Sequence, residues 1–534
     1  MSAPTSSKAA MSEALTRPRG FRFLGIGTEA AIKYFFGGNA IIAVVVLGLI
    51  TFFLFREGFG FIAQNRRNLE VYRQAGLEYV DIMRDRMDAH AKLGRQINAA
   101  RLALFKAAQK RGQSLDEINS TLEPLDTFSG QFGDSADALR GLVSDYGDVA
   151  ADIKQRASET EDRVEQKEML RANGRAAEAE KVVVPAVDFS KERQVILDTA
   201  PQYSEICNSM RGALTTLVTT PNAGYDLIPE STRTQIKTNT LAFLDYLDRG
   251  KSELTAWNPE KPVGYLDGLI SFLKHPEWQT ASFWQDWYGV VPLFVGSLFV
   301  SMIALLLAVP LGVSAAIYVN QIAGRGEASF IKPAIEFIAA FPSVVLGFFG
   351  VAILGETIRA ISGWHALSWI SFFPIAERLN ATTAGILLGL MAVPTIFSLA
   401  EDAINNVPIH FREASFALGA SKLQTLIKIT IPAALSGIIA AILLGFGRVI
   451  GETMVVLLCA GNRIKIPDFT EGLGVFFQPV HTMTGIIAQE MGEVPAGSIH
   501  YRALFMVAIL LFLLALLINF LAQQIVRKFK ISIG

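Results

Sequence analysis

Six runs of about twenty apolar residues punctuate the chain, near 38–55, 290–318, 334–354, 381–400, 434–459 and 503–525. A helix of about twenty residues crosses a hydrocarbon core of about 30 Å, so each run predicts a membrane span. Between the first two runs the pattern changes. Leu69, Tyr72, Leu77, Val80 and Met83 recur at helical spacing, as do Ile97, Leu102 and Leu104, and Leu139, Leu142 and Val149. These stripes predict a helical bundle or long helical hairpins over roughly 65–179. From 181 to 288 proline and aromatic residues rise: Pro185, Pro201, Pro221, Pro229, Pro259 and Pro262, with Trp257, Trp278, Trp284 and Trp287. That part predicts mixed structure ending in an aromatic interfacial belt before the second span. The expected fold class is an all-α membrane protein, six transmembrane helices with a large, mainly helical insertion between helices 1 and 2.

Composition agrees. The 534 residues are 51% hydrophobic and 18% charged, with a mean hydropathy of +0.36. The chain is too apolar for a purely soluble protein and too charged to be membrane throughout. A net charge of −1 gives no case for nucleic-acid binding. Cys207 and Cys459 sit in unlike surroundings and imply neither a disulfide framework nor a metal site. The first run does not read as a cleaved signal peptide, since about thirty-six residues precede it and no clean small-x-small site follows.

Basic residues orient the spans. Arg17, Arg19, Arg22 and Lys33 precede the first; Arg325 and Lys332 lie between two and three; Arg412, Lys422 and Lys428 lie between four and five; Arg527, Lys528 and Lys530 follow the sixth. The positive-inside rule makes all four regions cytoplasmic, with both termini inside. The expected division is 1–36 cytoplasmic, 37–56 transmembrane, 57–288 external, 289–526 a membrane domain with a cytoplasmic loop at 401–432, and 527–534 a cytoplasmic tail. Residues 21–36 are a candidate interfacial segment, and the loops near 355–380 and 460–502 come out external.

The 401–432 loop reads as a short helix–turn–helix. Pro408 suits a first helical turn. Residues 411–418 give about two turns, and Gly419 can take the left-handed conformation that ends them. Ser421 with Gln424 forms a capping box for a second short helix, and Pro432 starts the next span. Small residues around Ala414 would let a partner's groove approach; an ordinary surface helix is the plainer alternative.

Two intramembrane places carry polar chemistry. Arg448 and Glu452 are four apart, which puts them on one face of a fifth-span helix. Counting about 1.5 Å per residue from Ala434 sets Arg448 roughly 21 Å along. A charge at that depth costs at least about 2.5–3.5 kcal/mol, so it faces protein or an aqueous path. Arg448 either contacts an anionic substrate, with Glu452 orienting it, or makes a structural ion pair. A guanidinium fork matches tetrahedral oxyanions. Gly447 and Gly451 form a small-xxx-small ridge, as do Gly385 and Gly389 in the fourth span. In the third run, Pro342 must break a backbone hydrogen bond and Ser343 can help satisfy it; this is either an anion-facing helix break or a simple kink. Ser343 and Thr453 are candidate polar liners. The chain contains no P-loop, no H-E-x-x-H and no nucleophile elbow.

Glu413-Ala414-Ser415, then Gly419, then Ile429-Thr430-Ile431-Pro432, follow the spacing E-A-A-x3-G-x9-I-x-L-P, with Ser415 for the second Ala and Ile431 for Leu. The stretch resembles the cytoplasmic loop by which ABC-importer permeases dock on their ATPase. The stretches Gly296-Ser297-Leu298 to Ala316-Ile317-Tyr318, Phe341-Pro342-Ser343 to Gly347, and Gly447-Arg448 to Gly451-Glu452-Thr453, ending Gly461-Asn462, resemble phosphate-importer permeases, the PstC type more than its PstA-type partner. The resemblance covers roughly 285–530 and the first span. It implies the ABC-importer permease fold and a bacterial inner-membrane location. It also implies a non-enzymatic transporter chain that binds no cofactor, with ATP-Mg on a separate ATPase present in two copies. A second, PstA-type permease subunit and a periplasmic phosphate-binding protein would complete the assembly. By the same resemblance Arg448 and Glu452 lie in the transport pathway. The family usually has a short link between spans one and two, and the resemblance says nothing of the insertion. Three rivals stay open: a permease for sulfate or molybdate, a receptor with an external helical sensor, and a membrane-embedded enzyme. A receptor would need a cytoplasmic output domain and an enzyme a catalytic constellation, and the sequence offers neither.

Overall fold

The computed structural model describes residues 28–528 apart from 173, 186–187, 220–227, 281, 283, 368 and 371. The readings on Arg17, Arg19, Arg22, Pro221 and Lys530 fall outside the described residues, as do 1–27 of the expected N-terminal segment and 529–534 of the expected tail. The chain forms two units. One runs to Phe61 and takes in Ser297–Asn462 and the chain from Glu471 on; the other is Ile62–Gly296 with Arg463–Thr470.

Among the described residues, six helices are long and apolar enough to cross a membrane: Ile32–Gln74, Val291–Ile322, Ser343–Ser362, Ala381–Asn405, Lys422–Ile450 and Ile499–Lys528. They are called spans one to six. Span four is the centre of its unit. Its Ala384, Leu387, Ala392 and Ile396 pack on Val300, Ala304 and Ala308 of span two. Phe397, Ala400 and Ile404 pack on Ala434, Ile438 and Ala441 of span five. Close approach depends on Gly385 and Gly389, where a Cβ would come within 2.5 Å of Ile303 Cγ2 and 2.9 Å of the Ala304 carbonyl oxygen. That small-xxx-small pair therefore packs, as its pattern predicts.

Three boundaries differ from the sequence reading. The first helix does not end near 56 but continues to Gln74, because no proline or cap interrupts the stretch that follows the apolar run. Span three begins at Ser343, not 334. Pro342 sits in extended conformation at its N-cap, and the preceding Arg325–Ile338 is a separate helix with no buried residue. Proline has no N–H to donate and its ring disfavours a preceding helical residue, so the apolar run divides there. The helix of span five stops at Ile450 with Gly451 as its C-cap, and Met454–Cys459 is a second short helix. Hydropathy joins the two because the apolar residues run across the break.

The second unit is built mainly from helices Leu77–Lys110, Leu115–Ala172, Ala200–Thr219 and Glu230–Ala256. Their inward stripes meet in one core: Leu77, Val80, Met83 and Ile97; Leu125, Phe132, Leu139 and Leu142; Tyr203, Met210 and Leu214; Phe243 and Leu247. Leu69 and Val149 pack against it partly buried. Leu102 breaks the expected stripe and is exposed, since five residues from Ile97 carry it to the far side of the helix. Arg86 is 2% exposed; it pairs with Glu253 and lies 4.1 Å from the Tyr246 ring centroid. Two expectations for 181–288 change. Most of the segment is helical. The aromatic residues before span two do not form an exposed belt: Trp278, Trp287 and Tyr288 are buried. They lie on paired two-residue strands, Trp278 opposite Tyr288, with Trp287 edge-on to Tyr72 and stacked on His275.

Candidate functional site

The 401–432 loop folds as its residues dictate. Pro408 is the N-cap of helix Ile409–Ala417. Gly419 has φ +83°, and the Ala420 N–H returns to the Ser415 carbonyl at 3.2 Å, so glycine ends the helix in the left-handed conformation. The Ser421 N–H donates to Gln424 Oε1 at 2.9 Å, and the Gln424 N–H to Ser421 Oγ at 3.3 Å. The capping box then opens helix Lys422–Thr425. That helix does not stop before Pro432. It passes through a π-turn, Leu426–Thr430, in which the Ile431 N–H reaches the Leu426 carbonyl. The wider turn carries the chain past the proline without ending the span.

Ser415 is buried and its hydroxyl meets Thr425 Oγ1 at 2.9 Å, tying the two short helices together. Here Ser in place of the motif's Ala has a physical role. Glu413 and Ala414 are exposed, and Glu413 Oε2 lies 3.4 Å from His410 Nδ1. The sequence reading missed the apolar cover of this surface. Leu418 is 89% exposed, and Ile409, Phe416, Leu423 and Ile427 are exposed with it. Their signal was available: large apolar side chains beside charges in a loop too short to bury them.

At the other end of span five, Arg448 occupies the last helical turn. Its Nη1 donates to Thr395 Oγ1 of span four at 2.9 Å, while the side chain remains exposed. Glu452 lies beyond the helix end, so the two do not share a helix face. No ion pair joins them among the described residues. Instead Glu452 Oε1 accepts from the Met454 N–H at 3.3 Å, and its carbonyl accepts from Thr484 Oγ1 at 2.7 Å. Thr453 is the N-cap of Met454–Cys459. Thr395 was also missed; a hydroxyl directly after Pro394 inside an apolar span was its signal.

The two broken spans pack on each other. Cys459 Sγ donates to the Gly347 carbonyl at 3.2 Å, and a Cβ on Gly347 would come within 2.5 Å of Leu458 Cδ1. The short helices following Pro342 and Gly451 are thus in contact. Ser343 itself makes no side-chain bond to Arg448, Glu452 or Thr453. The structure therefore brings together the segments that the sequence singled out, but not those four polar side chains.

Six helices long enough to cross a membrane, a capped helix–turn–helix with an apolar surface, and an arginine at a helix break fit a membrane permease. The chain matches the model of the binding-protein-dependent transport system inner membrane component over residues 308–531. It is 34% identical over 242 residues to the probable ABC transporter permease protein YqgH of Bacillus subtilis, covering 44% of this chain and 72% of that protein. Phosphate transport system permease proteins PstC from Pasteurella multocida and Haemophilus influenzae are 28% and 29% identical over 283 and 272 residues. Those matches cover 52% and 49% of this chain, and 83% of each relative. The chain belongs to the family of binding-protein-dependent transport system inner membrane components. It is an ABC-transporter permease, a multi-pass inner-membrane protein whose family works with an ATPase and a binding protein.

Proposed function

We propose that this PstC-type permease carries inorganic phosphate across the inner membrane by alternating access. The observation that carries the substrate is likeness to proteins named as phosphate permeases over about half the chain, supported by a guanidinium at a helix break. Arg448 would contact the anion. Glu452, held at the neighbouring helix start, would supply a nearby negative charge that keeps the hold weak. Thr453, Ser343 and Pro342 would border the same path.

Span five offers a mechanical link. It is one continuous helix from Lys422 to Ile450, about 43 Å long at about 1.5 Å per residue. One end continues from the loop that carries Glu413, Ala414, Ser415 and Gly419; Ile429 and Pro432 lie at its start; the other end carries Arg448. ATPase closure against the loop would therefore move Arg448 directly. In this reading two ATPase copies hold the ATP-Mg, and this chain binds no cofactor. A PstA-type permease completes the pathway, and a periplasmic phosphate-binding protein delivers the substrate. The loop and both termini are cytoplasmic, and the 57–288 segment is external.

The test is uptake of labelled phosphate by cells lacking their own importer and carrying the complete transporter with native Arg448 or Arg448→Gln. Uptake by the native complex, lost in an assembled mutant, is expected. Full uptake by the mutant would make Arg448 structural. No phosphate uptake by the native complex would move the substrate to another oxyanion.

A further inference from the structure

The helix Tyr265–Lys274 is capped by Asp267 Oδ2, which accepts from the Gly264 N–H at 2.8 Å. One face is buried. Gly268 lies against the first helix, where a Cβ would come within 3.0 Å of the Ile62 carbonyl and 3.2 Å of the Arg66 nitrogen. Asn65 Nδ2 donates to the Gly268 carbonyl at 2.8 Å. The Phe272 carbonyl accepts from the Val290 N–H at 2.8 Å. The helix is therefore fastened to the residues just past span one's apolar run and to the residue just before Val291, where span two begins.

Its adjoining face is apolar and open. Tyr265 is 62% exposed, Leu266 71%, Ile270 45% and Leu273 44%. At about 100° per residue Leu266, Ile270 and Leu273 fall within about 60° of one another and Tyr265 flanks them, while Lys274 and Asp267 border the face beyond Ile270. Exposed apolar side chains grouped in this way mark an interaction surface.

We propose that the Tyr265–Lys274 helix lies in the bilayer interface, with Leu266, Ile270 and Leu273 seated among lipid acyl chains. Its two anchor points select lipid over a protein partner. The apolar run of the first helix gives way to charge at Arg56 and Glu57, and Gly60 lies against Arg502 near the start of the span-six helix, which sets the headgroup level on the first helix near Gly60. Ile62–Arg66 follow by two to six residues, about 3–9 Å at about 1.5 Å per residue. Val290 adjoins the first residue of span two. A short amphipathic helix tied at that level buries its apolar face in the headgroup–acyl boundary. Arg66, whose guanidinium carbon is 5.0 Å from the Tyr265 ring centroid, supplies the aromatic and cationic pair suited to headgroups. The helix takes the interfacial place that the sequence pattern assigned to the tryptophans.

The test uses the full chain, reconstituted in proteoliposomes with the subunits that copurify with it. Leu266→Cys, Ile270→Cys and, on the polar side, Lys274→Cys are each labelled with a fluorophore. Cys207 and Cys459 are both buried and are replaced beforehand by Ser and Ala. Brominated lipid is expected to quench the labels at 266 and 270, while aqueous iodide reaches only the label at 274. Leu273→Cys repeats the measurement if Leu266→Cys does not fold. Iodide reaching 266 and 270 as readily as 274 would overturn the proposal. Shielding of 266 and 270 from both quenchers would also overturn it, because protein would then cover the face.

Discussion

Arg448 is held by Thr395, its Nη1 donating to the threonine hydroxyl at 2.9 Å across spans five and four. A hydrogen bond to a charged group contributes about 1.5–3 kcal/mol. Thr395→Val therefore frees the guanidinium without removing its charge. Transport is expected to fall by about tenfold, corresponding to about 1.4 kcal/mol, with Thr395→Ser restoring most of it. Glu452→Gln is not expected to change the position of Arg448, because the two make no ion pair. Uptake kinetics of the two Thr395 variants check this, and an unchanged Thr395→Val would remove the positioning role.

The docking loop makes a separate prediction. Leu418 is almost wholly exposed, one residue before a glycine at φ +83°. Leu418→Ser leaves the fold intact and removes apolar area, so the ATPase is expected to copurify less while the permease still assembles. Gly419→Val forces a branched side chain into the left-handed region, at a cost of about 1–2 kcal/mol. It is expected to weaken both docking and loop stability. Pull-down of the ATPase at graded salt separates the two variants. Retention unchanged by either would move the docking surface elsewhere.

Much of this architecture was legible in the residues. The six spans follow from run length, and Gly419, Ser421 and Gln424 behave as their types require. The misplaced bounds of spans three and five share a cause: hydropathy measures apolarity, not backbone continuity. It joined 334–338 to span three across Pro342, and 454–459 to span five across Gly451. The spacing of Arg448 and Glu452 was read on a helix that ends between them. Their true partners, Thr395 and the Met454 N–H, come from another span and from the far side of the break; the hydroxyl after Pro394 stands out in the sequence, but its pairing with Arg448 is set by tertiary packing. The tryptophans before span two were assigned to the interface by composition, whereas tertiary packing against Tyr72 and His275 buries them.

Asp81 predicts a pH dependence in the helical unit. Burial raises its carboxyl to about 6, partly opposed by the charge of Arg84 and the hydroxyl of Tyr72, and reinforced by Asp85 and Glu277. An unfolded aspartate titrates near about 3.9. The folded pKa is the higher, so the folded state holds this proton more tightly. The resulting stabilisation is complete below about pH 4 and is lost as pH rises through about 6, with a slope of at most about 1.4 kcal/mol per pH unit. Melting of the purified chain between pH 4.5 and 7 should show this trend. Asp81→Asn should flatten it and raise the melting temperature at pH 7. A variant with the slope of the native chain would assign the dependence to other groups.

Two glycine pairs share one sequence pattern and have different surroundings. At Gly389 a Cβ would come within 2.9 Å of the Ala304 carbonyl and 3.0 Å of Leu307 Cδ2. Backbone cannot swing aside, so Gly389→Ala should force spans two and four apart, at about 1–3 kcal/mol. At Gly447 the nearest atom to a Cβ is Ile518 Cγ2 at 3.6 Å, an ordinary contact. Gly447→Ala should be neutral or stabilising, by up to about 1 kcal/mol of helix propensity. Thermal unfolding of both variants in detergent distinguishes the sites, with Gly389→Ala expected to melt lower and Gly447→Ala at or above the native chain. Equal effects would mean that the spans adjust freely at both positions, and the close packing of span four on span two would not be what holds this unit together.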